Sequence, residues 1–136
     1  MPDNPAAMRS RHVSRVIRTS PDRVQSFVAD PENLPRWAAG LATSEVRRKG
    51  DVLQVESPMG IVTVRFAGSN RWGVLDHTVT MPDGSETLNP VRVVPHPGGA
   101  EIVFTVRQLA LTDDEFERDC VTVAADLERL ADLLEN

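Results

Sequence analysis

Residues 112–135 read TDDEFERDCVTVAADLERLADLLE, and the rest of the chain has to accommodate this segment. Thr112 and Glu115 have the spacing of a capping box, in which each side chain accepts a hydrogen bond from the other residue's backbone N–H. The three acids of the first turn stand where the helix dipole favours negative charge. At the helical repeat, one face of the predicted helix is apolar and carries Phe116, Cys120, Val123, Leu127, Leu130, Ala131 and Leu134. A helix of this length extends about 36 Å, so its stripe requires a long apolar partner.

A sheet is the partner that the remaining sequence predicts. Alternation or β-branched composition is typical of strands in the segments 11–19, 42–48, 52–57, 61–67, 72–81, 87–94 and 101–109. Short turns such as 49–51 and 82–84 join the last six, and parallel neighbours would need long crossovers. We therefore expect an α+β fold in which a curved antiparallel sheet of six to seven strands wraps around the C-terminal helix.

Two short helices are predicted after the first strand. Ser20-Pro21 and Asp30-Pro31 each combine an N-cap residue with a proline at the first helical position. Pro35 keeps the second helix short or distorted, with Trp37 near its end and Gly40 closing it. These helices are expected to close one end of the space between the sheet and the long helix.

Composition narrows the class of protein. The 136 residues suit one domain over residues 11–136, with a loose tail at residues 1–10. A net charge of −5 argues against general binding to nucleic acid or anionic membranes. The absence of a long apolar run predicts no membrane span and no secretory signal, and the single Cys120 fits a reducing compartment, so we expect a cytoplasmic protein. Fourteen arginines against one lysine, Lys49, suggest a GC-rich bacterial genome.

Alternation predicts which strand side chains face inward. Val62, Val64 and Phe66 share one face, as do Leu75, His77, Val79 and Met81 on the next strand. On the last strand the inward set is Ile102, Phe104, Val106 and Gln108. The inward face of strand 87–94 stays open, because Val91 and Val93 alternate with Arg92 and Val94.

His77 is the candidate for chemistry, since its imidazole titrates nearest neutrality and can serve as an acid or base. The alternative is a core histidine whose nitrogens are satisfied by neighbours or water. Gln108 is the second inward polar candidate, with an edge position as its alternative. Cys120 is a nucleophile candidate only if it approaches His77, and a small buried apolar role is the alternative.

Other kinds of site find no support in the sequence. Asp76 and His77 point to opposite faces of one strand, so they are not part of a catalytic triad. His12, His77 and His96 lack the spacing of metal ligands, and no glycine-rich phosphate motif is present. We therefore predict no metal and no cofactor.

Several segments resemble the START/Bet v 1-like superfamily (SRPBCC), in particular its bacterial polyketide cyclase/dehydrase-like branch. The resemblance covers residues 11–135 and is carried by His12-Val13-Ser14 through Ile17, Ser20-Pro21, the segment ADPENLPRW at 29–37, Leu75-Asp76-His77, Pro82-Asp83-Gly84, Gly99-Ala100-Glu101 through Phe104, and Asp113-Asp114-Glu115-Phe116. It implies a helix-grip fold with an apolar cavity between the sheet and the long helix, used in relatives for lipids, sterols, polyketides or other aromatic compounds.

The leading hypothesis is a protein that binds a small hydrophobic ligand, aromatic, polyketide-like or lipid-like, in that cavity. The residues expected to contact the ligand are Trp37, Val64, Phe66, His77, Val79, Phe104, Gln108, Phe116, Cys120, Val123 and Leu127. One alternative is a cyclase or aromatase with His77 as acid/base. The other is a co-chaperone-like interaction module, which a cavity filled by the protein's own side chains would favour. A homodimer is left open.

Overall fold

The long C-terminal helix of the computed structural model, which describes residues 9–38, 46–58 and 60–135, is α3 (Asp113–Leu134). The capping box is confirmed: Thr112 Oγ1 accepts from the Glu115 N–H at 3.1 Å, and a Glu115 carboxylate oxygen accepts from the Thr112 N–H at 2.9 Å. All seven residues of the predicted apolar stripe are buried. The long helix and its inner face therefore follow the sequence pattern closely.

The described strands form two antiparallel sheets. They are β1 (Ser10–Ile17), β2 (Val46–Lys49), β3 (Val52–Ser57), β4 (Gly60–Phe66), β5 (His77–Thr80), β6 (Glu86–Asn89), β7 (Val91–His96) and β8 (Gly99–Arg107). Three of them pair in the order β1-β8-β7, and five in the order β2-β3-β4-β5-β6. Helix α3 packs against β1 and β8. The predicted class, an α+β helix-grip fold, is confirmed.

The strand count rises to eight within the described ranges because Pro90 divides the predicted strand 87–94. Proline has no N–H for the ladder, and β6 and β7, on either side of it, belong to different sheets. Val91 and Val93 are buried whereas Val94 is 40% exposed, which settles the inward face of β7.

The predicted strand 72–81 also serves both sheets. Only its second half, β5, pairs with β4 and β6. Its first half runs beside β7, where the Leu75 N–H donates to the Val91 carbonyl and the Val93 N–H donates to that of Gly73. Gly73 has a φ of +75°, and a Cβ there would lie 2.0 Å from the Val93 carbonyl oxygen, so the approach requires glycine.

The two predicted short helices are α1 (Pro21–Ala29) and α2 (Leu34–Trp37), with a 3-10 turn (Pro31–Asn33) before the latter. Ser20 caps α1 by accepting from the Arg23 N–H, and Asp30 caps the turn by accepting from the Glu32 N–H. Helix α1 packs against β7 and β8, and α2 packs against α3.

Parts of some predictions lie outside the described residues. These are most of the tail at 1–10, the helix end at Gly40, the first half of strand 42–48, and Met59, which lies between the predicted strands 52–57 and 61–67. Strand β1 begins at Ser10, one residue earlier than expected.

Candidate ligand site

A pocket of about 280 Å³ lies between α1, the β2–β3 turn and the segment that follows β4. Its apolar lining comes from Ala29, Pro31, Val52, Leu53, Phe66, Ala67, Val74 and Leu75. Its polar lining comes from Gln25, Arg48, Asp51, Ser69 and Asn70. An apolar hollow with a few polar groups at its edge is the usual composition of a small-molecule site.

Asn70 holds the loop that forms one wall of this pocket. Its side-chain oxygen accepts from the N–H groups of Trp72 and Val74 at 3.0 and 3.1 Å, and its Nδ2 donates to the carbonyls of Gly68 and Val74, both at 2.9 Å. The loop backbone thereby replaces strand pairing with bonds to one side chain.

Gln25 connects this loop to α1. Its Nε2 donates to the Asn70 carbonyl oxygen at 2.8 Å, and both residues line the pocket. The contact fixes the distance between the helix and the loop, and therefore the width of the pocket between them.

The charged groups of the lining lie at its exposed edge. Asp51 forms an ion pair with Arg65 at 3.7 Å, and both side chains are mostly exposed. Arg48 also borders a second, neighbouring depression together with Asp30 and Glu32. Exposed pairs of this kind contribute little to stability. The main effect of these charges is therefore on the attraction or repulsion of molecules that approach the pocket.

His77 lies behind Phe66, inside the fold. Its ring is 5.0 Å from that of Phe66 and 5.8 Å from that of Phe104, between centroids. Nδ1 lies 3.2 Å from the Leu75 carbonyl, which can only accept, and Nε2 lies 3.4 Å from the Asn89 amide nitrogen, which can only donate. These partners assign the neutral tautomer that carries its proton on Nδ1.

Burial lowers the pKa of His77, and the Leu75 carbonyl and the charge of Asp76 oppose that shift only in part. Asp76 itself points away from the imidazole, as expected. It accepts from Arg92 at 2.9 and 2.8 Å and from the Val91 N–H, and the Arg92 contact is the main reason that its pKa is lowered.

Of the predicted ligand contacts, Phe66 is the residue that lines this pocket. Val64, Val79, Phe116, Cys120, Val123 and Leu127 are buried in the apolar core, and Phe104 packs against it. Phe66 therefore stands between the pocket and the residues that were expected to line a deeper cavity. The binding role of those residues stays a prediction.

Cys120 is found near β1. Burial is the main reason that its pKa is raised, and its charged neighbours are Arg11, Glu117 and Asp119. The contacts described for His77 are with other residues, so the structure does not bring these two together as a nucleophile and base.

Trp37 is buried, and its indole Nε1 finds no hydrogen-bond partner among the described residues. Its backbone carbonyl accepts from Arg129 Nη1 at 2.9 Å, and Arg129 also pairs with Asp126. An unpaired donor in a core is costly, so this N–H is available to a water molecule or a polar ligand atom.

Gln108 is buried at the end of β8 and joins the strand to the start of α3. Its Nε2 donates to the Leu111 carbonyl and to Asp113 Oδ1, both at 2.9 Å. Its side-chain oxygen has no partner within the described part of the chain. The Gln108 amide therefore has a structural role in joining β8 to α3, and its contact with a ligand stays a prediction.

Gln25, Arg48 and Asn70 were missed as site residues. Strand alternation identifies only side chains on the inward face of a sheet. Gln25 is on helix α1, Arg48 is near the end of β2, and Asn70 is in a loop. Gly68-Ser69-Asn70 has a composition typical of turns, and a turn asparagine that bonds to nearby backbone is the signal that could have identified Asn70.

No cluster of three or more histidine, cysteine or acidic side chains suited to a metal occurs in the described ranges. Likewise, none of the helices described is both long and apolar enough to cross a bilayer.

The chain belongs to the family described as polyketide cyclase/dehydrase and lipid transport, which matches residues 8–135. No curated protein sequence matches it significantly.

Solved structures with the same fold include protein CV1439 from Chromobacterium violaceum, at 17% identity and a TM-score of 0.71, covering 93% of this chain and 98% of that one. Protein BH1534 from Bacillus halodurans has 16% identity and a TM-score of 0.73, with coverages of 94% and 98%. The Aha1 dimer from Colwellia psychrerythraea has 17% identity and a TM-score of 0.74, with coverages of 94% and 97%. Likeness at this level of identity establishes the fold alone.

Proposed function

We propose that this protein binds a small hydrophobic molecule, with one or two rings or a short acyl chain, in the pocket between α1 and the loop held by Asn70. The observation that carries the proposal is the pocket itself, which is lined by eight apolar residues and five polar or charged ones. Membership of a family described by polyketide chemistry and lipid transport supports the same class of ligand.

The size of the pocket sets the size of the ligand. Typical ligand sites enclose about 300–1,000 Å³, and this one, at about 280 Å³, is just below that range. A multi-ring polyketide or a full lipid needs more volume than the pocket offers. A larger ligand would require Phe66 to turn aside, which would extend the pocket toward His77.

His77 carries the alternative function of a cyclase-type enzyme. The neutral tautomer leaves a lone pair on Nε2, so the imidazole is a base once its bond with Asn89 is broken. That chemistry requires the substrate to pass Phe66. Turnover that is lost in His77→Phe while ligand affinity is retained would favour the enzyme over the binding protein.

Gly68→Leu tests the binding proposal. Gly68 lines the pocket, a Cβ added to it would meet no atom within 4 Å, and its backbone does not require a positive φ. The leucine should therefore enter the pocket without strain. We expect 1-naphthol or a comparable two-ring compound to bind the wild-type protein and raise its melting temperature. Affinity should fall by at least about tenfold, or 1.4 kcal/mol, in Gly68→Leu.

Thr122→Leu is the matched control, because it adds a leucine to the exposed face of α3. Equal affinities for the two variants would place the ligand elsewhere. Native mass spectrometry of the purified protein would show any ligand that it retains from the cell.

A further inference from the structure

The charges of the chain are segregated. Residues 46–74, which include the β2–β3 turn and the loop after β4, hold five cations and two acids, whereas residues 113–135 hold nine acids and two arginines. The net charge of −5 is a sum over the whole chain and therefore conceals this separation of cationic and acidic segments. The pocket lies in the cationic part, between Arg48 and Gly50 on one side and Asn70 on the other.

Trp72 is 71% exposed and stands two residues beyond Asn70, whose side chain accepts from the Trp72 N–H. The Arg71 guanidinium lies 5.4 Å from the centre of the Trp72 ring. The exposed indole leaves a large apolar surface in water. Tryptophan and arginine side chains are both suited to the boundary between lipid headgroups and acyl chains.

The cations of the segment 46–74 are not all paired with acids. Arg65 is paired with Asp51, as Arg9 and Arg11 elsewhere are paired with acids of α3. Among the described residues, no ion partner is found for Lys49 or Arg71.

Arg48 lines the second depression together with Asp30 and Glu32. Lys49 and Arg71 adjoin the lining residues Arg48 and Asn70 in sequence, so they are the cations near the pocket that are freest to meet an external negative charge. Lys49, Arg71 and Trp72 together are called the rim.

We propose that this rim docks the pocket mouth onto an anionic lipid surface, with Trp72 at the headgroup boundary and Lys49 and Arg71 against the lipid phosphates. The inference rests on the proposed function, because docking serves to let an apolar ligand enter the pocket without crossing water. A lipid surface is favoured over an acidic protein because it offers both a headgroup boundary suited to Trp72 and a source of apolar ligands for the pocket.

The experiment measures sedimentation with phosphatidylcholine vesicles that contain or lack about 30% phosphatidylglycerol, at low salt. Each cation near an anionic surface contributes about 1 kcal/mol, or roughly fivefold in affinity. We expect binding to the anionic vesicles only, about fivefold weaker in Lys49→Ala and in Arg71→Ala, and weakened at least as much in Trp72→Ala. Added salt should reduce binding.

Two exposed residues away from the rim supply controls: Arg107→Ala on β8 removes one cation, and Val121→Ala on α3 removes an apolar side chain that is 68% exposed. Neither should change vesicle binding. Brominated lipids should quench wild-type emission more than that of Trp72→Phe, because the remaining Trp37 is buried.

Equal binding to neutral vesicles, or equal losses in the rim and control variants, would overturn the proposal. A complete absence of vesicle binding would also overturn it and would leave an acidic protein as the occupant of the rim. Binding of 1-naphthol in solution is measured without vesicles, so its loss in Gly68→Leu distinguishes failure of docking from failure of the pocket.

Discussion

The β1–α3 side of the molecule and the pocket side are held together by different means. On the first side, an apolar helix face lies on a sheet, and a bidentate contact of 2.7 Å at each nitrogen joins Arg11 to Glu117. On the second side, the segment between β4 and β5 depends on the side chains of Asn70 and Gln25. Buried apolar area fills space, whereas hydrogen bonds to a loop can hold space open, and the pocket occurs on the second side.

The largest expected effect comes from Gly73→Ala. A methyl group there would collide with the Val93 carbonyl and separate the loop from β7. We expect a loss of about 4 kcal/mol or more in the free energy of unfolding, which is exceptional for one substitution. Gly50→Ala is the control, because Gly50 also has a positive φ but its added Cβ would meet no atom within 4 Å. It should cost about 1–2 kcal/mol, and similar costs for the two variants would contradict the close approach.

Leu127→Ala tests the packed side. Leu127 is 1% exposed, and its truncation should cost about 2–5 kcal/mol through lost burial and the cavity that remains. Ala125→Ser, on the exposed face of the same helix, should change stability by less than about 0.5 kcal/mol. Chemical denaturation measures both, and equal midpoints would contradict the packing of α3 on the sheet.

Asn70→Ala tests the pocket side. It removes four hydrogen bonds to the loop backbone, and we expect a loss of about 1–3 kcal/mol, because some of the freed groups can turn to water. Affinity for 1-naphthol should fall together with stability, since the pocket wall loosens. Ser14→Ala, at an exposed position of β1 outside the pocket, should affect neither quantity.

The smallest expected effect is the pH dependence due to His77. Its folded-state pKa is lowered, so the unfolded chain binds the proton more readily. The stability contributed by the neutral imidazole is therefore fully present above the unfolded pKa of about 6.5 and is lost as pH falls toward the folded pKa. NMR titration of the ring should show the lowered value, and His77→Phe should flatten the decline of stability with acid. A wild-type imidazole that titrates at its ordinary value would contradict the burial.

The packed side could be predicted from the sequence because its determinants repeat. The capping residues of α3, its apolar stripe and the inward positions of β4 and β8 follow fixed periods. The pocket follows no period: Gln25 and Asn70 meet only because α1 packs beside a loop that is distant in sequence. Pro90 was visible in the sequence, but its effect, the division of one strand between two sheets, depends on the course of the Gly73–Leu75 segment.

The pairing of β1 with β8 has a consequence for the time course of folding. Ser10 pairs with Arg107 and Ile17 with Ala100, so β1 cannot form its strand pairs until β8 has been synthesised. Contacts between such distant segments slow folding. On the ribosome, the five strands of the other sheet are complete before β8 exists. Until then β1 keeps an open edge, and this is the interval in which a growing chain is most exposed to pairing with a neighbour.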